Sequence, residues 1–183
     1  MKYLKFLSYL IRHKWFVFLE CLRLGVPWRG ITHDLSKFLP GEFIAYANCF
    51  YANQHCSEQM EAPNSKESYM LAWLVHQKRN RHHWQWWILY GEENEPYATA
   101  MPDQYIKEMV ADWWGAGRAQ GKPDIIAWYQ ANRNKMVLHR ATRRRVEYLL
   151  LHYRITGVGY EQGSAGIVNG LLINAMENHS LSL

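Results

Sequence analysis

The feature that most constrains the fold of this chain is the run His33-Asp34-Leu35-Ser36-Lys37, because its possible partners lie far away in the sequence. An adjacent imidazole and carboxylate can hold one metal ion if the backbone turns there, and a lysine three residues later can reach a phosphate held by that metal. Further nitrogen and oxygen donors are provided by His13, His76, His82, His83 and Asp112. A fold that uses them together must bring distant segments to one point.

Length and composition indicate one folded domain. The chain has 183 residues, 49% of them hydrophobic, which is enough to bury a single sizeable core. The net charge of +5 suits a phosphate-bearing partner such as a small molecule or nucleotide. Nucleic acid is a possible partner as well, although the positive excess is too small to establish it.

The cysteines and the N-terminus favour a cytoplasmic protein without a membrane span. Three cysteines with no CxxC spacing argue against a disulfide framework and fit a reducing compartment. Arg12, His13 and Lys14 interrupt the apolar N-terminal stretch, so neither a signal peptide nor a spanning helix is expected. The oligomeric state is not indicated by the sequence.

Helical spacing with little strand alternation predicts an all-α fold, a single helical bundle over residues 1–156. A Gly-, Ser- and Asn-rich tail, 157–183, is expected to be loosely held or dependent on a partner. The predicted helices are Lys2 to Leu24, Trp28 to His33 (a short helix or turn), Pro40 to Phe50, Lys66 (capped by Ser65) to Lys78, Arg81 to Tyr90 (as a continuation or a new helix after a bend), Pro102 to near Gly115–Gly117, a short helix opened by Lys122-Pro123-Asp124, and Lys135 to Arg154.

His13 is predicted to point into the core, because Leu10, Val17 and Cys21 share its helical face. A lone histidine in this setting is most often a hydrogen-bonded core residue. The donors further along the chain make a metal ligand the stronger interpretation. We also expect the first helix to pack against the helices that carry His76 and Asp112.

The spacing of His76, Asn80 and His83 places them on one face of a straight helix. His76 and His83 would then be separated by about 10.5 Å along the axis, too far to share one metal easily. They could serve two metals about 3.5–4 Å apart if the side chains lean inward. His83 is therefore the preferred ligand, and His82 replaces it if the helix breaks near Asn80.

Asp112 shares a half-apolar helical face with Tyr105, Glu108 and Met109. A buried carboxylate needs a partner, which a metal ion could supply. An arginine from the cluster at 143–145 is the alternative partner. Glu108, one turn earlier, could orient a ligand histidine from outside the metal's coordination sphere.

The donor order resembles that of the HD superfamily of metal-dependent phosphohydrolases, and the run from His33 to Lys37 is similar to the His-Asp-x-Gly-Lys runs found there. Ser36 stands where those runs usually have Gly. An uncharacterised family of small phage and bacterial HD-like proteins is also similar in its flanking motifs. These motifs are Glu42-Phe43, His76-x-x-x-Asn80-x-His82-His83-Trp84, and Glu108-Met109 through Asp112-Trp113.

The resemblance implies an HD-like helical bundle that hydrolyses a phosphate ester, for example a nucleotide, at a site with one or two divalent metal ions. The donor types do not decide between Fe, Mn, Co, Zn and Mg. The implied ligands are His13, His33, Asp34, His76, His83 (or His82) and Asp112. Asp34 and Lys37 are the catalytic candidates, and Lys37, Asn80, Arg140 and Arg144 are the candidates for substrate binding.

Two other functions remain open at this point. A di-iron oxygenase could use the same ligands, and it would be recognised by its iron content and by oxygen-dependent turnover. A non-catalytic binder of nucleic acid, or a defence protein, is suggested by the basic and aromatic stretch from Lys78 to Trp87. Salt-dependent binding without metal would favour that function.

Overall fold

A computed structural model describes residues 1–51 and 63–155, and within them the chain is mostly helical, which confirms the all-α prediction. The predicted tail and its boundary lie outside these ranges. A short antiparallel hairpin, in which Leu89 is opposite Tyr97, interrupts the helices. The elements are α1 (Lys2–Arg23), α2 (Pro27–Thr32), α3 (Pro40–Tyr51), α4 (Pro63–Arg79), β1 (Ile88–Tyr90), β2 (Pro96–Ala98), α5 (Asp103–Ala119), α6 (Ile125–Asn132) and α7 (Arg140–Ile155).

The central contact of the fold is the pairing of α1 with α5. Gly115 lets the two backbones approach closely, because a Cβ atom at that position would lie 2.5 Å from Val17 Cγ2. The buried Glu20 carboxylate accepts a hydrogen bond from Arg118, with Nη1 and Oε1 2.6 Å apart. The pairing brings His13, one turn before Val17, close to Asp112, just before Gly115.

Two hydrophobic clusters flank this pair. On one side α3 and α4 pack together around Tyr46 and Ala72, and Phe6 of α1 joins their cluster. On the other side α5, α6 and α7 bury Met109, Tyr129 and other apolar residues. The expected packing of the first helix is therefore right for α5, whereas α4 packs mainly on α3.

Several predicted boundaries are wrong. Helix α4 begins at Pro63, so Ser65 lies inside it, and it ends at Arg79. The predicted helix from Arg81 to Tyr90 is instead a 3-10 turn, Trp84–Trp87, followed by β1. Helix α5 runs two residues past the predicted end near Gly115–Gly117, to Ala119, and α7 begins only at Arg140.

The cysteine prediction also needs correction. Cys49 is disulfide-bonded, whereas Cys21 is free and buried. The cysteines therefore no longer support a reducing compartment. Among the described residues, no helix is long and apolar enough to cross a membrane.

The close approach of α1 and α5 at Gly115 can be tested by a substitution that adds a single methyl group. Gly115→Ala should lower the free energy of unfolding by about 1–3 kcal/mol, because the new Cβ would collide with Val17. Gly41→Ala in α3 is the matched control, since no atom lies within 4 Å of its added Cβ. Denaturant unfolding should show the control unchanged or slightly more stable. Equal effects of the two substitutions would contradict the α1–α5 contact.

Candidate metal centre

The backbone turns sharply between α2 and the following 3-10 turn, and this turn presents His33 and Asp34. Asp34 adopts a left-handed conformation (φ 52°, ψ 26°), which aspartate tolerates better than most residues. Lys14 of α1 secures the end of α2, because its Nζ donates to the carbonyl oxygens of Ile31 at 2.7 Å and His33 at 2.8 Å. Sequence reasoning missed this role of Lys14, since a lysine gives no local signal of a contact 17 to 19 residues away.

A first group of donors consists of His13, His33, Asp34 and Asp112. His13 Nε2 lies 3.2 Å from Asp112 Oδ1 and 3.4 Å from His33 Nε2. His33 Nε2 lies 3.2 Å from Asp34 Oδ2 and 3.3 Å from Asp112 Oδ1. Asp112 thus faces histidines, and the arginine pair that was its alternative is absent among the described residues, since Arg145 pairs with Asp103.

A second group consists of Asp34, His76, His82 and His83. Asp34 Oδ1 lies 3.3 Å from His76 Nε2 and 3.5 Å from His82 Nε2. The Asp34 carboxylate therefore lies between the groups, with one oxygen directed to each. This is the geometry of a carboxylate that could bridge two ions.

The choice between His82 and His83 depended on a straight helix, which the structure does not have. Because α4 ends at Arg79, the chain turns at Asn80 and His82 becomes buried near Asp34 and Asp112. His83 is only half-buried, yet it belongs to the second group. Both histidines lie close enough to contribute, and the preference for His83 on a continuous helical face does not hold.

Two buried glutamates orient the histidines. Glu108 Oε1 lies 3.3 Å from His33 Nδ1 and 3.2 Å from His82 Nδ1, so one carboxylate supports a histidine of each group. Glu42 Oε2 lies 2.8 Å from His76 Nδ1. When an Nδ1–H donates to a carboxylate, the lone pair stays on Nε2, which is the atom directed to Asp34.

Glu108 was the glutamate singled out from the sequence, and Glu42 was the one missed as a site residue. The contacts of Ser36 explain why Glu42 matters. The Ser36 hydroxyl donates to Glu42 Oε2 at 2.9 Å and accepts from the Asn80 amide at 3.1 Å. A glycine at position 36 could make neither contact. In the sequence, the sign of this role of Glu42 was its position shortly after the run from His33 to Lys37.

The buried charges strongly perturb one another. Burial opposes a charge on His33, yet the neighbouring carboxylates, Asp34 foremost, raise its pKa well above the usual value. Burial would raise the pKa of Asp34, but His33 and Lys37 hold it well below the usual value. Burial together with the nearby His82 keeps the pKa of His83 well below normal. Protons on histidine thus balance the carboxylates, and a metal ion could replace them.

The donor set fits a metal ion. Among the described residues, Asp34 Oδ1 and the buried Nε2 atoms of His76 and His82 make no hydrogen bond, and Asp34 Oδ2 has the ion pair with Lys37. The donor atoms in each group lie within 4.8 Å of one another. Unpartnered buried polar atoms are costly, and ligation by a cation would satisfy them together. These buried histidine and aspartate groups could therefore hold a metal ion.

The remaining predicted residues fall in different places. Lys37 forms an ion pair with Asp34 Oδ2, so it lies at the centre. Asn80 closes the end of α4, where its amide donates to the His76 carbonyl at 2.8 Å. Arg140 and Arg144 are exposed on α7 and have no described contact with the donor groups. Of the four residues predicted to bind substrate, Lys37 is the one that the structure places where it could contact a substrate held at the metal centre.

Metal stoichiometry tests the bridging position of Asp34. Asp34→Asn keeps the side-chain shape and tolerates the left-handed backbone, yet it removes the charge that both groups share. We expect it to empty the centre, and His33→Ala to abolish binding in the first group, with helicity largely retained. Elemental analysis and circular dichroism measure these outcomes. Asp103→Asn, an exposed aspartate on the helix that carries Asp112, is the control. Unchanged metal content in both site variants would contradict the assignment.

Comparison with known proteins adds a family but no activity. Residues 2–152 match the sequence profile of DUF5662, described as a family of unknown function. No curated protein and no solved structure matches the chain significantly. The matched segment contains every donor from His13 to Asp112 and most of the 183 residues. The chain is therefore a member of the DUF5662 family.

Proposed function

We propose that this protein is a metal-dependent phosphohydrolase that cleaves a phosphate ester at the centre around Asp34. The observation that carries the proposal is the placement of one carboxylate between two histidine-rich donor groups, with a lysine ammonium against it. Divalent ions held by these residues would lower the pKa of a bound water and stabilise the charge on a phosphate ester. The HD-like ligand order of the sequence supports the same proposal.

Lys37 is proposed to stabilise the phosphate. Burial would lower its pKa, but Asp34 and Asp112 raise the pKa above the ordinary lysine value, so the group stays cationic. A charged ammonium has no lone pair with which to bind a metal. A fixed positive charge beside the donors can instead neutralise charge that develops on a phosphoryl group.

The balance of nitrogen and oxygen donors favours a transition metal. His13, His33, His76, His82 and His83 provide imidazole nitrogens, and Asp34 and Asp112 provide carboxylates. Imidazole suits Fe and Zn, and mixed sites also accept Mn and Co, whereas Mg prefers oxygen donors. We propose that the centre holds one or two ions of Fe, Zn, Mn or Co.

The nucleic-acid binder suggested by the stretch from Lys78 to Trp87 is less well supported. His82 is buried within the donor groups, and Trp84 and Trp87 pack against the hydrophobic core. The basic and aromatic residues of this stretch therefore do not form one continuous exposed surface. A di-iron oxygenase could use the same donors, so the assay below is run with and without oxygen.

The role of Lys37 gives the sharpest test of this function. Lys37→Met keeps the aliphatic stem and removes the charge, so metal content should survive while hydrolysis of phosphate esters falls about 100-fold or more. Phosphate release is measured across monoesters and diesters on metal-loaded protein. Lys78→Met, at an exposed position near the end of α4, is the matched control and should retain full activity. Full activity of Lys37→Met would refute the assigned role, and turnover that requires oxygen would identify an oxygenase.

A further inference from the structure

A pocket of about 300 Å³ opens beside the metal centre. His82, His83 and Asp112 form part of its wall, so three candidate ligands face this space. The side chain of Asp112 is 14% exposed, whereas those of His33, Asp34 and His76 are almost completely buried. A small molecule that occupies the pocket would therefore reach the donors from the side of Asp112.

Indole rings dominate the rest of the wall. Trp73, Trp84, Trp113 and Trp128 come from α4, the turn after it, α5 and α6. The Trp113 and Trp128 ring centroids lie 5.2 Å apart, and the Trp73 centroid lies 5.2 Å from that of His83. Flat apolar surfaces of this kind bind other flat rings by stacking.

The pocket also contains a hydrogen-bond acceptor without a donor. Gln85 Oε1 is buried and has no hydrogen-bond partner among the described residues. An amide oxygen can only accept, and leaving it unpaired in a buried position is costly. A ligand N–H directed at Gln85 would satisfy it. Lys135 provides a positive charge at the exposed edge of the same pocket.

We infer that this pocket binds a flat, nitrogen-bearing aromatic ring of the size of a nucleobase, with the ring against the indoles and its N–H groups directed at Gln85. The inference rests on the proposed function, because it places the phosphate of the same molecule at the metal centre. The volume is at the lower end of the range for small-molecule sites, so the ligand is a single small molecule. A simple alkyl phosphate would leave Gln85 without a donor, and a sugar phosphate would present no flat ring to the indoles.

Binding of uncleavable ligands tests the pocket separately from hydrolysis. Adenosine, guanosine, cytidine and uridine are titrated against the 183-residue protein as purified, with ribose as the comparison that lacks a base. Quenching of indole fluorescence and calorimetry report the Kd. At least one nucleoside should bind at least about tenfold more tightly than ribose, the scale of one stacked base. Binding of no nucleoside, or of ribose equally well, would overturn the inference.

Matched tryptophan variants locate the binding. Trp128 is 43% exposed, so Trp128→Leu should fold normally and weaken nucleoside binding about tenfold. Trp28, 74% exposed and outside the pocket lining, provides the control Trp28→Leu, which should bind as wild type. Gln85→Leu should weaken binding of nucleosides whose bases carry N–H donors. Unchanged binding in both Trp128→Leu and Gln85→Leu would place the nucleoside elsewhere and refute the assignment.

The outcomes also separate this inference from the proposed function. Hydrolysis of phosphate esters without any preference between adenosine 5′-monophosphate and ribose 5-phosphate would retain the phosphohydrolase and remove the ring pocket. These two esters share the same leaving alcohol position and differ in the base. Tight nucleoside binding that depends on Trp128, with no ester cleaved, would retain the pocket and remove the hydrolase.

Discussion

The Asp34 carboxylate is buried, and the arrangement around it exists to offset its charge. An isolated carboxylate in a protein interior is strongly unfavourable unless cations or hydrogen bonds compensate it. Here the compensation comes from Lys37 and from His33, whose pKa the Asp34 carboxylate raises, with His76 and His82 close by. These partners belong to the segment that carries Asp34, to α4 and to the turn that follows α4, so the charge can be offset only when these parts of the chain are correctly placed.

The apolar contacts of the fold provide that placement. The missing side chain at Gly115 brings α5 against Val17, and this fixes the distance between His13 and Asp112. On the opposite side, the packing of α3 on α4 sets Glu42 beside His76. Apolar packing gives no preference for a particular histidine tautomer, and Glu42 and Glu108 supply that preference. Packing thus determines where the rings lie, and the glutamates determine which nitrogen faces Asp34.

The parts of the site that follow local rules could be read from the sequence. The face shared by Leu10, His13 and Val17 indicated a buried histidine, and all three residues are buried. The His33-Asp34 pair could converge on one metal only if the backbone turned there, and the turn is present. The end of α4 at Arg79 could not be decided from the sequence, because the histidine spacing also suited a continuous helix. Lys14 and Glu42 were missed, since their roles depend on contacts between distant segments.

The candidate metal ligands differ in exposure, and this difference indicates the side from which a small molecule can reach the centre. Asp34 is almost completely buried among histidines and Lys37. Asp112 is partly exposed, and the pocket beside it is lined by indoles and not by the arginines of α7. A site that bound its ligand by charge alone would be lined by residues such as Arg140 and Arg144, but these lie exposed on α7 and outside the pocket. The wall chemistry instead favours recognition by stacking and by one unpaired amide oxygen, so selectivity for the ring and chemistry at the phosphate would reside in adjacent but separate sets of residues.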